Sequence, residues 1–125
     1  MTATLALARD QHVEYLLRLA DTLVVLGHRM AEWCGKAPFL EEEMALANMG
    51  LDFIGQAKSL YAHAGEIEGK GRDEDELAYL RDAPQYRNYL IAEQPNGDFA
   101  RTMARQLLVS VFLEQMWGAL QSSSD

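Results

Sequence analysis

The chain has 125 residues, 49% of them apolar and 24% charged, which fits one soluble domain with a real hydrophobic core. Nineteen acidic against eleven basic side chains give a formal charge of −8. That excess argues against a nucleic-acid surface, which needs clustered Lys and Arg, and against docking on an anionic membrane.

Residues 9–34 carry the first helical pattern: Leu16, Leu19, Leu23, Leu26, Met30 and Trp33 recur every three or four positions. Gly35 and then Pro38 stop it. The single cysteine, Cys34, falls on the apolar side of this helix and reads as a buried, inert thiol. A second long helix is predicted over 40–68, with Glu41, Glu42 and Glu43 suiting the positive end of its dipole. Leu40, Met44, Ala47, Leu51, Ile54 and Tyr61 form one apolar track along it; Leu46, Met49, Phe53, Ala57, Leu60 and Ala64 form another. The two tracks cover more than half the circumference, so two sides are expected to be buried.

After the polar break "GKGRDEDE", short helices are predicted over 75–81 and over 84–93, the latter opened by Pro84. "QPNGD" is a turn, and Asn96 or Asp98 can cap a third long helix running to about 120. Its second half, "LLVSVFLEQMWGAL", is apolar almost all round and is expected to be deeply packed; "SSSD" closes the chain as a loop. The fold class is therefore all-α. Three long helices of ~25 residues, each about 37 Å, form a bundle with one or two short helices between them. Three such wide apolar faces leave one side uncovered, to be closed by a fourth helix or another chain.

Projected at 100° per residue, Asp10, Glu14, Asp21, His28 and Glu32 share one side of the first helix. Glu41, Asn48, Asp52, Ser59 and His63 share one side of the second. Solvated faces are the plainer explanation of both rows; a site between the helices is the functional one. Asp21 and Asp52 would stand at similar heights in an antiparallel hairpin, a layout that di-iron carboxylate bundles use with Glu-x-x-His on the second helix. Here that pair reads Asp52-x-x-Gly55, and glycine offers no ligand. Asp21, Asp52 and Gly55 thus read as vestigial ligand positions, with no catalytic, metal or cofactor-binding residue assigned. If the two aspartates point inward, each needs a partner such as an amide or Arg. His12, His28 and His63 lack a Glu three residues before them and read as surface or hydrogen-bonded residues. Arg101 and Arg105 share a side of the third helix, where a surface role outweighs phosphate binding.

Four segments carry a resemblance: "LRLADTLVVLGHRMAEWCGKAP" (17–38), "LEEEMALANMGLDFIGQAK" (40–58), "LAYLRD" (77–82) and "EQPNGDFARTMARQ" (93–106). In this order they resemble the structural, non-catalytic subunit of the bacterial phenylacetyl-CoA epoxidase, the multicomponent oxygenase of phenylacetate breakdown. The resemblance implies a ferritin-like helical bundle with no chemistry of its own. It implies pairing with, and stabilisation of, a sister subunit that carries the di-iron centre and epoxidises the aromatic ring with O2. NADPH supplies the electrons through a separate reductase. No cofactor is then expected in this chain. Family members run to roughly twice this length, so residues 1–125 would be a single ferritin-like domain truncated at its C-terminus, before the fourth core helix.

Such a piece is expected to self-associate, most simply as a two-fold dimer. Burying ~800 Å² of apolar surface at about 25 cal/mol per Å² contributes on the order of 20 kcal/mol before entropic costs. The tracks around Met49, Phe53 and Leu60, and around Phe112 and Trp117, are candidate partner contacts. No basic region precedes an apolar run at the N-terminus and no uncharged run approaches the ~20 residues of a membrane span, so a cytoplasmic protein without membrane or nucleic-acid partners is expected. Two other readings stand beside this one. The first is a ferritin-like di-iron protein with atypical ligands drawn from Asp21, Asp52, His28 or His63; the second is a general helical adaptor.

Overall fold

The structure, a computed structural model, describes residues 9–123. Residues 1–8, on which the reading of the N-terminus falls, and 124–125, the end of the "SSSD" tail, lie outside them. Among the described residues all regular structure is helical: α1 (Arg9–Ala31), α2 (Leu40–Glu68), α3 (Glu74–Tyr79) and α4 (Phe99–Leu120), with 3-10 turns at Ala83–Gln85 and Leu90–Glu93. Three long helices with short connectors are what the periodicity predicts, and the all-α content is consistent with the ferritin-like bundle that the resemblance implies. None of the helices is long and apolar enough to cross a membrane. The chain divides into two compact units, one up to Glu93 and one from Gln94 onward.

In the first unit α1 and α2 form an antiparallel hairpin. Gly27 and Gly50 set its closest approach: a Cβ on either would lie 3.1 Å from the carbonyl oxygen of the other. Stepping seven residues along each helix in opposite directions brings Ala20 level with Ala57 and Val13 with Ala64, and all four are buried. Small residues at heptad spacing thus let the two backbones run close together. Leu16, Leu19, Leu23, Leu26 and Met30 from α1 complete the core with Leu46, Phe53 and Tyr61 from α2 and Leu77 from α3. The turn into α3 is as tight. A Cβ on Gly65 would stand 2.3 Å from the Arg72 carbonyl oxygen, and Asp73 and Glu76 then close a reciprocal capping box.

Only one of the two tracks on α2 is fully used. Leu46, Phe53, Ala57 and Ala64 are buried, but Leu40, Met44 and Leu51 are 67%, 58% and 67% exposed. The hairpin register explains the open end at Leu40 and Met44, while Leu51 lies on the side of α2 away from Leu46, Phe53 and Ala57. With Gly27 against Gly50, the end of α1 is level with about Leu46, and the first turn and a half of α2 runs past it. Cys34 is also exposed, contrary to its reading as a buried thiol. The first helix ends at Ala31, and Cys34 turns away with its Sγ 3.6 Å from Glu43 Oε1.

The predicted helix over 84–93 is instead two 3-10 turns flanking an extended segment. Arg87 and Tyr89 give their backbone N–H groups to side chains of α1, which removes them from any helical ladder.

In the second unit Asp98 caps α4, accepting from the Arg101 backbone N–H at 2.8 Å. Thr102, Arg105, Gln106, Val109 and Leu113 form a single buried stripe. Leu107, Leu108, Val111 and Phe112 are 65%, 65%, 49% and 50% exposed, so the second half of α4 is not deeply packed as its composition predicts. Arg101 and Arg105 do not act as a pair: Arg101 is exposed, while buried Arg105 donates to Asn96 Oδ1 at 2.7 Å.

Candidate functional site

One member of the two polar rows points inward. Asp21 is fully buried in the middle of α1. Its Oδ1 accepts from the Tyr61 hydroxyl of α2 at 2.5 Å and from Arg81 Nη2; its Oδ2 accepts from Arg81 Nη1 at 3.3 Å and from the Arg87 backbone N–H at 2.7 Å. Two charged and two neutral donors thus satisfy both oxygens, as a buried carboxylate requires.

Arg81 stands just past α3, where the short capped helix delivers it to the core. Its Nε donates to the Leu77 carbonyl at 2.6 Å and its Nη1 to the Gln85 carbonyl at 3.0 Å. The guanidinium lies 4.6 Å from the Tyr86 ring centre and 5.8 Å from that of Tyr61. Tyr86 is itself fixed by donating its hydroxyl to the Ala78 carbonyl. The outer edge opens on a surface cleft of about 400 Å³ that Glu68, Arg72 and Arg87 also line. In that cleft the Arg72 guanidinium holds the Glu68 carboxyl below its usual range.

Next to Asp21, the Thr22 hydroxyl accepts from the Tyr89 N–H at 2.8 Å and donates to the Arg18 carbonyl at 2.7 Å. Arg29 Nε reaches the Ala92 carbonyl at 3.4 Å. One face of α1 therefore pins the whole connector 86–92. Burial, reinforced by the hydrogen bond to Asp21, pushes the Tyr61 phenol well above its ordinary range, so it is a permanent donor.

The remaining row members lie where charged helix faces usually lie. Asp10, Glu14, His28, Glu32, Glu41, Asn48, Asp52 and Ser59 are all exposed. Glu14 pairs with Arg18 at 2.8 Å and Glu32 with Arg29 at 3.3 Å. His63 lies 4.0 Å from Glu66 and meets His12 edge-on, ring centres 5.9 Å apart, so His12 and His63 share a helix–helix contact.

Asp21 and Asp52 do not face one another. With Gly27 against Gly50, Asp52 is level with Val25, four residues or about 6 Å along α1 from Asp21. Gly55 is exposed, with open space where a side chain would go. The expectation of similar heights assumed a symmetric hairpin; the overhang of α2 shifts the register by about one turn, and Asp52 faces outward.

A ferritin-like di-metal centre needs converging carboxylates and histidines. Asp21 already holds a guanidinium, Asp52 faces outward and Gly55 has nothing to give, so these residues do not fit one. Among the described residues no three His, Cys, Asp or Glu side chains converge on a point that could hold a metal ion. Of the surroundings of Asp21, the sequence indicated only that an inward-facing aspartate needs a partner such as an amide or Arg. Tyr61 was visible only as an apolar-track member, Arg81 only within "LAYLRD", and Thr22 and the two backbone N–H groups not at all.

These features define a ferritin-like helical protein organised around an internal ion pair. The chain belongs to the phenylacetic acid catabolic protein family, whose model matches residues 1–125. It is 47% identical over 116 residues to one subunit of the 1,2-phenylacetyl-CoA epoxidase of Escherichia coli strain K12, an alignment covering 93% of this chain and 46% of the relative. The chain thus spans about half the length of the curated relative that it matches.

Proposed function

We propose that this chain is the N-terminal half of a non-catalytic structural subunit of a phenylacetyl-CoA epoxidase. In that role it pairs with the di-iron catalytic subunit and keeps it folded and competent during aerobic phenylacetate catabolism. The likeness to a subunit of such an enzyme supports membership of the complex. One observation carries the non-catalytic part: Asp21, the buried carboxylate of α1, is consumed by Arg81, Tyr61 and the Arg87 N–H. The energy of that arrangement goes into tying α1, α2 and the connector together. The chain itself then needs no cofactor, and iron, oxygen and reducing equivalents belong to the partner and its reductase.

The test is co-expression of the full-length protein with the catalytic subunit. Stoichiometric co-purification is expected, with ring epoxidation dependent on both proteins. Epoxidation by this protein without a companion contradicts the proposal.

A further inference from the structure

The exposed track on α2 has the form of an unfilled helix-pairing seam. Leu40, Met44, Ala47 and Leu51 follow one another at intervals of four, three and four residues, the spacing by which one helix receives another. All four are exposed, and Phe39, the N-cap in extended backbone just ahead of Leu40, is 66% exposed. Soluble surfaces scatter such side chains singly; four in one line is a contact surface. The seam lies on the side of α2 opposite Leu46, Phe53 and Ala57, so packing within the hairpin does not use it.

The charges beside it select the occupant. Glu41, Asn48 and Asp52 run along one flank, all exposed, and the two acids carry no cation partner among the described residues. A second copy docking antiparallel about a two-fold axis would lay this flank on its own image. Glu41 of each copy would then stand near Asp52 of the other, two like-charge contacts in a chain whose formal charge is already −8. An amphipathic helix with an apolar seam and Lys or Arg along the facing flank would meet both features.

We propose that Leu40, Met44, Ala47 and Leu51, with Phe39, form the docking seam for a single basic-flanked helix of the partner subunit. The assignment rests on the pairing proposed above and supplies its surface. It replaces Met49, Phe53 and Leu60, of which Phe53 is buried and the other two are half-buried.

The experiment measures binding of the full-length protein to the purified catalytic subunit by titration calorimetry, for the unsubstituted protein, for Leu51→Glu, and for Glu41→Lys combined with Asp52→Lys. Leu51→Glu is expected to weaken binding by roughly 30-fold or more. The double charge reversal is expected to weaken it about tenfold and to abolish its sensitivity to salt. Both variants are expected to melt at the temperature of the parent. No binding by the unsubstituted protein overturns the pairing and the seam together. Parent-like affinity in a normally folded Leu51→Glu variant overturns the seam alone. A lowered melting temperature of Leu51→Glu in the isolated full-length protein places the seam against the protein's own remaining chain and overturns it too. Loss of self-association with partner binding intact gives the seam to a second copy, with the same consequence.

Discussion

Asp21 and Arg81, sixty residues apart in the chain, form an ion pair whose side chains are 0% and 5% exposed. Taking two charges out of water is costly, and their mutual attraction offsets that cost only because every other hydrogen-bonding group around them is also met. Breaking half of the pair is therefore far worse than removing all of it. Asp21→Asn leaves the Arg81 charge buried without its counterion and is expected to cost about 3–5 kcal/mol in urea denaturation. Asp21→Leu combined with Arg81→Met is expected to cost less than the sum of the single substitutions. Additive losses would show that the pair does not act as a unit.

Alkaline stability follows from Tyr61. Its phenol ionises well above the ordinary tyrosine range in the folded protein, because of burial first and the Asp21 hydrogen bond second. The folded state therefore keeps a proton that the unfolded chain releases near pH ~10. The contribution of Tyr61 is fully present below that pH and declines as the pH rises beyond it, since there the folded state binds more protons. Unfolding free energies between pH 8 and 11 are expected to fall less steeply in Tyr61→Phe than in the parent. Equal slopes would remove Tyr61 from the account.

The closeness of α1 and α2 rests on Gly27 and Gly50. Gly50→Leu would drive a side chain into the Gly27 backbone and force the helices apart. It is expected to destabilise the protein by at least about 2 kcal/mol, read from the denaturation midpoint. A neutral substitution would mean that the seam tolerates a wider crossing.

The 125-residue chain by itself is expected to self-associate through the exposed side of α4. Leu108 and Phe112 are 65% and 50% exposed there, alongside Leu107 and Val111. Light scattering is expected to find an oligomer that Leu108→Glu with Phe112→Glu converts to a monomer and that Leu51→Glu leaves intact. A stable monomer of the unsubstituted chain at micromolar concentration contradicts this.

The two long α1 and α2 helices were legible because their apolar periods are strong and Gly35, Pro38 and Gly69 mark their ends. The cap at Asp98 was legible for the same local reason. What failed was non-local. The hairpin register depends on which glycines meet, so the offset of about one turn between Asp21 and Asp52 could not be read from a count of residues. Apolar composition in α4 says that a surface wants cover and not which chain provides it. Around Asp21, one neutral donor is a backbone N–H and the other a hydroxyl on a track that reads as core, and no side-chain pattern announces a backbone donor. The sequence did show that Asp52-x-x-Gly55 lacks the second ligand of Glu-x-x-His and that an inward-facing Asp21 would need a partner such as an amide or Arg; it could not show that Arg81 is that partner.

Iron content separates a structural subunit from a di-iron enzyme. Elemental analysis of the isolated full-length protein, expressed with ample iron, is expected to find no stoichiometric metal, with iron appearing only when the catalytic subunit is present. About two irons per chain in the isolated protein, the load of a ferritin-like di-iron site, would contradict the account.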